Sequence, residues 1–315
     1  MMSSNVHVIF GTGPVGMAVM DALVEQGVPV RMVNRSGQTA EPLPAGVELI
    51  RGDAADREFA VKAAVGAAVV YNALNPAYSK WVELFPGLQA GTIAAAEANG
   101  AKLVVMDNLY MYGDPGGQPI IEGTPYNAHT KKGKLRAHMA HDLMAAHEAG
   151  RVQVAVGRAS DFIGPRVEAS AMGGDQVIKR AIQGKAAQVV GDVDSLHSYT
   201  YMPDIGRALV TLAQHEDAFG QVWHLPTPPA VSTRQILERI YAEAGQPLKI
   251  QVAPKWLLRL LGLFNPDAGE MVEMVYEFEQ PFVIDDSKFV HRFGWGATDW
   301  ETVVRETVTW FKARG

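Results

Sequence analysis

The sequence contains no cysteine, so disulfide bonds, thiolate nucleophiles and cysteine-ligated zinc are excluded as sources of stability or chemistry. It also lacks an excess of positive charge, because 28 Lys and Arg residues face 34 Asp and Glu residues and the formal net charge is −6. This balance gives no electrostatic reason to expect nucleic acid or an anionic membrane as a partner. We therefore expect a small molecule as the ligand.

Long hydrophobic runs are missing as well. No apolar stretch approaches the roughly 18 residues of a membrane span, and the first residues, MMSSNVHVIFGTGPVG, lack the basic region of a signal peptide. We therefore expect a cytoplasmic protein with no membrane partner. The 315 residues are 48% hydrophobic and 20% charged, which is typical of a globular chain with one large or two medium domains.

Short apolar runs alternate with helical stretches in the first half of the chain, as expected for parallel strands that are buried on both faces. The predicted strands are residues 6–10, 28–33, 47–50, 67–72, 102–107 and 152–157. This pattern predicts an α/β fold, a doubly wound parallel sheet of the Rossmann type, over residues 1–160, with a strand and a helix contributed from the second half. Residues 161–315 are predicted to form a smaller mixed α/β lobe that binds substrate, with a cleft between the two. Predicted elements of this lobe include a helix in PKWLLRLLGLF and a strand in QVWHL.

A glycine-rich loop follows the first predicted strand and opens a helix. Gly11, Gly13 and Gly16 have the G-x-G-x-x-G spacing that lets a chain turn tightly, approach a pyrophosphate and pack a helix closely on a strand. The helix N-terminus offers N–H donors to the anion, and a proline is tolerated in its first turn. The residues predicted here to bind a dinucleotide are Gly11, Thr12, Gly13, Pro14, Val15 and Gly16.

The residues after the second strand favour NADP over NAD. An NAD site usually has Asp or Glu at this position to accept from the ribose, whereas this chain has Asn34, Arg35 and Ser36. An arginine flanked by hydrogen-bonding side chains suits a 2′-phosphate, although NAD stays an alternative. Asp53 is predicted either to bind the adenine amino group or to cap a helix. Residues following strands three and four complete the predicted cofactor site: Asp53, Ala54, Asn72, Ala73 and Leu74.

Four segments together resemble the extended short-chain dehydrogenases/reductases, the NAD-dependent epimerase/dehydratase family, and specifically its atypical members. These segments are MDNLYMYGDPGG, GRASDFIGP, YTYMPDIGRALV and FGWGATDWETVVRETVTWF, in the order in which the family has them. The resemblance spans nearly the whole chain. It implies a dinucleotide cofactor and oxidoreductase or isomerase chemistry on a carbonyl or hydroxyl group.

The resemblance also shows that the family's catalytic triad is altered. The family has a Ser or Thr, a Tyr that exchanges the proton, and a Lys that lowers the pKa of that Tyr. Matching the segments places Asn108, Lys132 and Arg136 at these three positions. Lys132 is therefore predicted both to act in catalysis and to bind the cofactor ribose.

Two routes would keep proton transfer in the altered site. If Tyr110 continues the strand of Asn108, alternation aims its phenol in the same direction, beside Lys132, and Lys132 or Arg136 stabilises the phenolate. Alternatively, Lys132 itself donates to a developing oxyanion, and Tyr126 is a third candidate. A different reading is that Lys132 and Arg136 only hold the cofactor or face solvent.

The predicted substrate site is aromatic and has little positive charge. Family members that act on nucleotide sugars usually have Asn and Arg where this chain has Asp161 and His197, a pair less suited to a diphosphate. The resemblance and the pattern together predict a substrate site formed by Tyr78, Trp81, Phe85, Asp161, Met172 and His197, with Trp223 and His224 along the opposite wall. Such a pocket suits a small carbonyl or enone.

Three functions remain open at this point: an NADP-dependent oxidoreductase, a redox-inactive sensor or scaffold that binds dinucleotide, and a nucleotide-sugar epimerase or dehydratase. No metal site is expected, because the histidines at 129, 138, 141 and 147 have no accompanying H-E-x-x-H motif. The family that the chain resembles often dimerises through the two helices after strands four and five. The segments AGTIAAAEA and HMAHDLMAA are alanine-rich enough for such close packing, so the resemblance implies a homodimer.

Overall fold

The computed structural model describes residues 6–170, 172–254, 256, 260, 269 and 272–314. The chain divides into two compact units. The first contains residues 1–108, 134–158 and 205–223, and the second contains residues 109–133, 159–204 and 224–315. Among the described residues, no helix is long and apolar enough to cross a membrane.

A seven-stranded sheet forms the first unit. Its strands are β1 (Val6–Phe10), β2 (Val30–Asn34), β3 (Glu48–Arg51), β4 (Ala67–Asn72), β5 (Lys102–Asp107), β6 (Val154–Arg158) and β11 (Gln221–His224). They lie in the order β11-β6-β5-β4-β1-β2-β3, and the pairs from β6 to β3 are parallel. Buried Val, Ile and Ala side chains dominate these strands, as the near-continuous apolar runs predict.

Helices follow the strands in the first unit: α1 (Pro14–Glu25), α2 (Arg57–Ala63), α3 (Trp81–Asn99), most of α4 (Lys131–Glu148) and most of α6 (Met202–Gln214). Local signals set their limits. The Asp56 carboxylate caps α2 by accepting from the Glu58 and Phe59 amides, and α3 ends at Gly100 in the left-handed conformation. The prediction of an α/β doubly wound sheet is therefore confirmed.

The second unit is a mixed α/β assembly with its own apolar core. It has three two-stranded sheets, β10-β7, β12-β9 and β13-β8, among the residues that the structure describes. The remaining strands are β7 (Asp161–Ile163), β8 (Ala187–Val190), β9 (Leu196–His197), β10 (Tyr199–Tyr201), β12 (Val231–Ser232) and β13 (Ile250–Ala253). Its helices include α5 (Lys179–Ile182), α7 (Thr233–Ala244), α8 (Ser287–Phe293) and α9 (Trp300–Lys312).

Three details differ from the sequence-based expectations. QVWHL is not an element of the second lobe, because β11 pairs into the main sheet next to β6. Residues 109–133 belong to the second unit, although the expected boundary at 160 places them in the first. The helix predicted in PKWLLRLLGLF falls mostly outside the described residues.

Close packing of α3 on the loop before α2 depends on Gly91. A Cβ there would overlap the Ala54 carbonyl oxygen, whereas a Cβ at Gly87, one turn earlier, would meet only Ala55 Cβ at 3.7 Å. Gly91→Ala should therefore destabilise the protein by about 1–3 kcal/mol through overpacking. Gly87→Ala should leave it unchanged or stabilise it by up to about 1 kcal/mol, since Ala favours helix. Urea unfolding of both variants measures this, and equal midpoints would contradict the packing described.

Candidate active site

The glycine loop after β1 forms an open cradle at the start of α1. Gly11 has φ +110°, and a Cβ there would lie 2.5 Å from the Ala73 carbonyl oxygen. A Cβ at Gly16 would overlap the Gly11 carbonyl, so helix and loop pack at backbone distance. At Gly13, by contrast, no atom lies within 4 Å of the Cβ position. The backbone at the helix N-terminus is thus accessible, as pyrophosphate binding requires.

The end of β4 completes one side of this cradle. The Ala73 amide donates to the Phe10 carbonyl oxygen at 2.9 Å, and the Leu74 amide donates to the Asn72 side chain at 3.2 Å. Asn72 is buried and its amide nitrogen donates to Thr92 Oγ1 at 3.2 Å. Asn72, Ala73 and Leu74 are therefore held beside Gly11, as expected for neighbouring parallel strands.

Asn34 organises the loop after β2. Its Nδ2 donates to Thr12 Oγ1 at 2.8 Å and to the Gln38 carbonyl oxygen at 2.7 Å, and its Oδ1 accepts from the Gly37 amide at 2.7 Å. The Ser36 hydroxyl also donates to the Gln38 carbonyl oxygen, at 3.0 Å. Asn34 thus links the loop after β2 to the glycine loop, and its own hydrogen bonds are largely used inside the protein.

Arg35 differs from its neighbours in being exposed. Within the described part of the chain no hydrogen bond or ion pair holds its guanidinium, so the charge is available to a ligand. Asp53 Oδ1 accepts from the Ala55 amide at 2.9 Å, while Asp56 is the residue that caps α2. Asp53 is exposed and its second carboxylate oxygen has no hydrogen bond here, which leaves the adenine contact as a prediction.

A buried ion cluster lies at the carboxyl ends of β5 and β6. Asp107 Oδ1 accepts from Arg136 Nε at 2.9 Å and from the Arg136 Nη2 group, and Asp107 Oδ2 accepts from Arg158 Nε at 3.1 Å. All three side chains are buried, and Arg158 has no exposed surface. One carboxylate therefore compensates two guanidinium groups, with both of its oxygens engaged.

Trp81 and Phe85 pack on this cluster. The Arg136 guanidinium carbon lies 4.7 Å from the centre of the Phe85 ring and 5.7 Å from that of Trp81. Both aromatic residues are buried, and the indole nitrogen of Trp81 donates to the Pro76 carbonyl oxygen at 3.2 Å. They enclose Arg136 by cation–π contact, and their role in binding substrate stays a prediction. Tyr78 packs edge-on against Trp81 at 5.0 Å between ring centres.

The Arg136 guanidinium thus contacts Asp107 and the two rings. Its predicted role in catalysis stays a prediction. Asn108, the next residue along, is half-buried and its amide donates to Asp107 Oδ1 at 2.9 Å.

In the second unit, Lys132 is buried and paired. Its side chain is 1% exposed, and its Nζ lies 3.3 Å from Glu273 Oε1. The Glu273 carboxylate also accepts from the Lys131 and Lys132 amides at the start of α4, which places an anion at a helix N-terminus. Lys132 therefore does not face solvent.

The expectation that Tyr110 lies on a strand is wrong. β5 ends at Asp107, and Tyr110–Tyr112 form a short 3-10 helix, so strand alternation does not apply. Tyr110 is half-buried, and its main chain packs against Gly133, where a Cβ would lie 2.6 Å from the Tyr110 carbonyl oxygen. This close approach brings Tyr110 next to the first turn of α4 and hence near Lys132.

Tyr126 and His224 pack around Tyr112. The Tyr126 ring meets the Tyr112 ring edge-on at 5.8 Å, and the Tyr112 hydroxyl lies 2.9 Å from His224 Nε2. His224 Nδ1 in turn lies 3.0 Å from the Asp285 carbonyl oxygen. His224 is buried, which corrects the expectation that it lines a wall.

Met172 and Trp223 are likewise interior. Met172 is 2% exposed within the apolar core of the second unit. Trp223 is 2% exposed in the first unit, where its indole nitrogen donates to the Ala218 carbonyl oxygen at 3.0 Å. Both side chains therefore contribute to packing.

Asp161 and His197 form a close pair. His197 Nδ1 lies 3.1 Å from the Glu277 carbonyl oxygen, and His197 Nε2 lies 2.8 Å from Asp161 Oδ2. The imidazole stacks on Phe278 at 4.5 Å. Burial, followed by the nearby Asp161 carboxylate, raises the pKa of the Glu277 carboxyl well above its ordinary value.

No group of three or more metal-ligating side chains exists among the described residues. His138 pairs with Asp142 at 3.6 Å on the exposed face of α4. His129 packs on the Tyr276 ring at 4.9 Å, and His147 Nδ1 accepts from the Val154 amide at 3.2 Å. Histidines 129, 138 and 147 therefore have separate structural contacts.

Sequence reasoning missed Asp107, Arg158 and Glu273. A signal for the first two exists, since β5 ends in Asp107 and β6 ends in Arg158, and the two are register partners in the parallel sheet. Opposite charges at the ends of adjacent strands predict an ion pair. Glu273 lies more than 140 residues from Lys132 in a weakly patterned segment and gives no such signal.

Comparison with known proteins gives the family. The family model of the NAD dependent epimerase/dehydratase family matches residues 7–225, more than two thirds of the chain. The chain therefore belongs to the NAD-dependent epimerase/dehydratase family, as the sequence resemblance predicted. This membership supports a nicotinamide dinucleotide as cofactor. No curated protein sequence is significantly similar to the chain.

Solved structures with low sequence identity share the fold. UDP-glucose 4-epimerase from Thermotoga maritima, solved with UDP-glucose, is 18% identical, with 98% of this chain and 99% of that chain covered and a TM-score of 0.79. The Thermus thermophilus UDP-glucose 4-epimerase in complex with NAD is 18% identical, covering 98% and 100%, with a TM-score of 0.77. The epimerase Mth375 from Methanothermobacter thermautotrophicus is 14% identical, covering 98% and 93%, with a TM-score of 0.82.

Removing the Asp107 carboxylate should destabilise the first unit strongly. Asp107→Asn removes the carboxylate that pairs with the buried Arg136 and Arg158 guanidinium groups, which costs about 3–5 kcal/mol. Urea unfolding measures the loss. The matched control is Glu97→Gln, which breaks the exposed ion pair with Arg151 and should barely move the midpoint. Similar midpoints for the two variants would show that the buried cluster is dispensable.

Proposed function

We propose that the protein is an NADP-dependent oxidoreductase that acts on a small carbonyl, enone or related compound. The single observation that carries this proposal is the pairing of an open glycine cradle with the unneutralised guanidinium of Arg35 at the next strand end. The cradle suits a pyrophosphate, and the guanidinium suits the 2′-phosphate that distinguishes NADP from NAD.

The residues of the cradle have distinct tasks in this proposal. Gly13 lets the pyrophosphate reach the N–H groups at the start of α1, while Asn34 holds the Arg35 loop against Thr12. Asn72, Ala73 and Leu74 form the side of the cradle towards the nicotinamide. Bound NADPH supplies a hydride to a carbonyl carbon, and a protein group must then protonate the oxygen.

Arg35→Ala should weaken NADPH binding by about ten- to a hundredfold and leave NADH binding nearly unchanged. A charge-assisted contact to a phosphate is worth roughly 1.5–3 kcal/mol, and NADH has no phosphate at this position. Calorimetric titration with both cofactors measures the effect. If Arg35→Ala loses equal affinity for NADPH and NADH, or if the wild-type protein binds NADH more tightly, Arg35 does not recognise the 2′-phosphate.

Tyr110 is the proton donor that we propose, because its main chain lies beside the first turn of α4, the helix that carries Lys132. Its half-buried position beside the first turn of α4 supports this choice over Tyr126, which packs against Tyr112. The test follows NADPH oxidation with a panel of small aldehydes, ketones and enones. With a substrate that turns over, Tyr110→Phe should lower kcat by about a hundredfold or more while NADPH binding persists. If Tyr110→Phe keeps its kcat and Tyr126→Phe or Lys132→Met shows the hundredfold fall instead, the residue changed in that variant is the proton donor and Tyr110 is not.

A second candidate function is a redox-inactive dinucleotide sensor. The observation that favours it is the engagement of the two altered triad positions, since Lys132 is paired with Glu273 and Arg136 with Asp107. Tight NADPH binding without turnover across the whole panel would support the sensor and contradict the oxidoreductase.

A nucleotide-sugar substrate fits the second unit less well. The charge of His197 is matched by Asp161, so this pair offers no net positive charge to a diphosphate. Thermal stabilisation of the protein by UDP-glucose would overturn this exclusion.

A further inference from the structure

A second arginine, Arg51, lies beside the loop that carries Arg35. β2 and β3 are parallel neighbours, and Arg51, the last residue of β3, is the register partner of Asn34. Neighbouring strands are about 4.8 Å apart, so Arg51 begins one strand spacing from the residue that precedes Arg35.

The loop is shaped around the Arg51 side chain. A Cβ on Gly37 would lie 3.0 Å from Arg51 Cβ, 3.3 Å from its Cδ and 3.4 Å from its Cγ. Gly37 also has φ +68°, a conformation that favours glycine. The aliphatic stem of Arg51 therefore runs along the Gly37 backbone, two residues from Arg35.

Neither arginine is neutralised within the described residues. Arg31, on the same strand as Asn34, has a carboxylate partner in Glu48 at 2.6 Å. Arg35 and Arg51, by contrast, are exposed and have no ion pair or hydrogen bond to the described part of the protein. Two unpaired cations, one in the loop after β2 and one at the end of the adjacent β3, attract an anion with more than one charge, and bidentate guanidinium contacts suit phosphate.

We propose that Arg51 is a second specificity-determining residue for the cofactor, which binds the 2′-phosphate of NADP together with Arg35. This inference rests on the proposed NADP-dependent function and extends it to a residue of a different strand. The phosphate monoester carries a charge of roughly −1.5 to −2 at neutral pH, which two guanidinium groups match.

Calorimetric titration of the full chain with NADPH, NADH, adenosine 2′,5′-bisphosphate and 5′-AMP tests this assignment. Arg51→Ala should weaken binding of NADPH and of the bisphosphate by about tenfold or more, and leave binding of NADH and 5′-AMP unchanged. Arg51→Glu should cost more, because it places a carboxylate at the phosphate. Arg51→Met removes the charge but keeps an aliphatic stem along Gly37, so an equal loss in this variant distinguishes a lost phosphate contact from a displaced loop. The matched control for the loss of one positive charge is Arg57→Ala, because Arg57 is an exposed arginine at the start of α2. This variant should bind all four ligands as tightly as the wild-type protein.

The outcomes separate this inference from the proposed function. If Arg35→Ala selectively weakens NADPH binding while Arg51→Ala binds NADPH as tightly as the wild-type protein, Arg51 is not a phosphate ligand. Only this inference is then overturned. If Arg51→Ala weakens NADPH and NADH equally, Arg51 acts elsewhere than the 2′-phosphate and the inference is again overturned. If the wild-type protein does not prefer NADPH, the proposed NADP specificity and this inference fall together.

Discussion

The Asp107 carboxylate is the interaction on which the first unit most depends. It joins the ends of β5 and β6 to α4 by accepting from Arg158 and Arg136. A buried pair of charges is costly to form but far more costly to break, because a lone guanidinium in the interior has no solvation. Trp81 and Phe85 close the cluster from α3. Arg136, which the resemblance matches to the family's catalytic Lys, is thus held in a buried ion pair.

This constraint shapes what chemistry the chain can perform. With Arg136 held by Asp107, Tyr110 is the proton donor that we propose, and Lys132 and Tyr126 are the alternatives. Lys132 is itself balanced by Glu273, which leaves an overall neutral pair. The cofactor cradle, in contrast, contains the exposed and unneutralised Arg35. Binding of a dinucleotide is therefore better supported by the structure than any particular reaction.

Much of the fold was predictable from sequence because buried parallel strands leave continuous apolar runs and the glycine loop has a strict spacing. β1, β4 and β5 have the predicted limits. β11 was misassigned because a short strand carries no information about which sheet it joins. Tyr110 was misplaced because alternation was extended past Asp107, where the chain turns into a 3-10 helix.

The candidate site was less predictable, for a physical reason. The glycines and Asn34 act locally, so their roles follow from neighbouring residues. The partners of Arg136, Lys132 and His197 are distant in sequence. Only the folded chain shows that these partners are Asp107, Glu273 and Asp161, respectively. Aromatic residues such as Phe85 give the same sequence signal whether they line a pocket or enclose an ion.

The central claim is that the first unit recognises a 2′-phosphorylated dinucleotide. Its most direct measurement is the ratio of the dissociation constants of NADH and NADPH for the unmodified protein, determined by calorimetry at one salt concentration. The account predicts a ratio of about ten or more in favour of NADPH, because one charge-assisted phosphate contact is worth at least that factor. A ratio of one, or tighter binding of NADH, would contradict it.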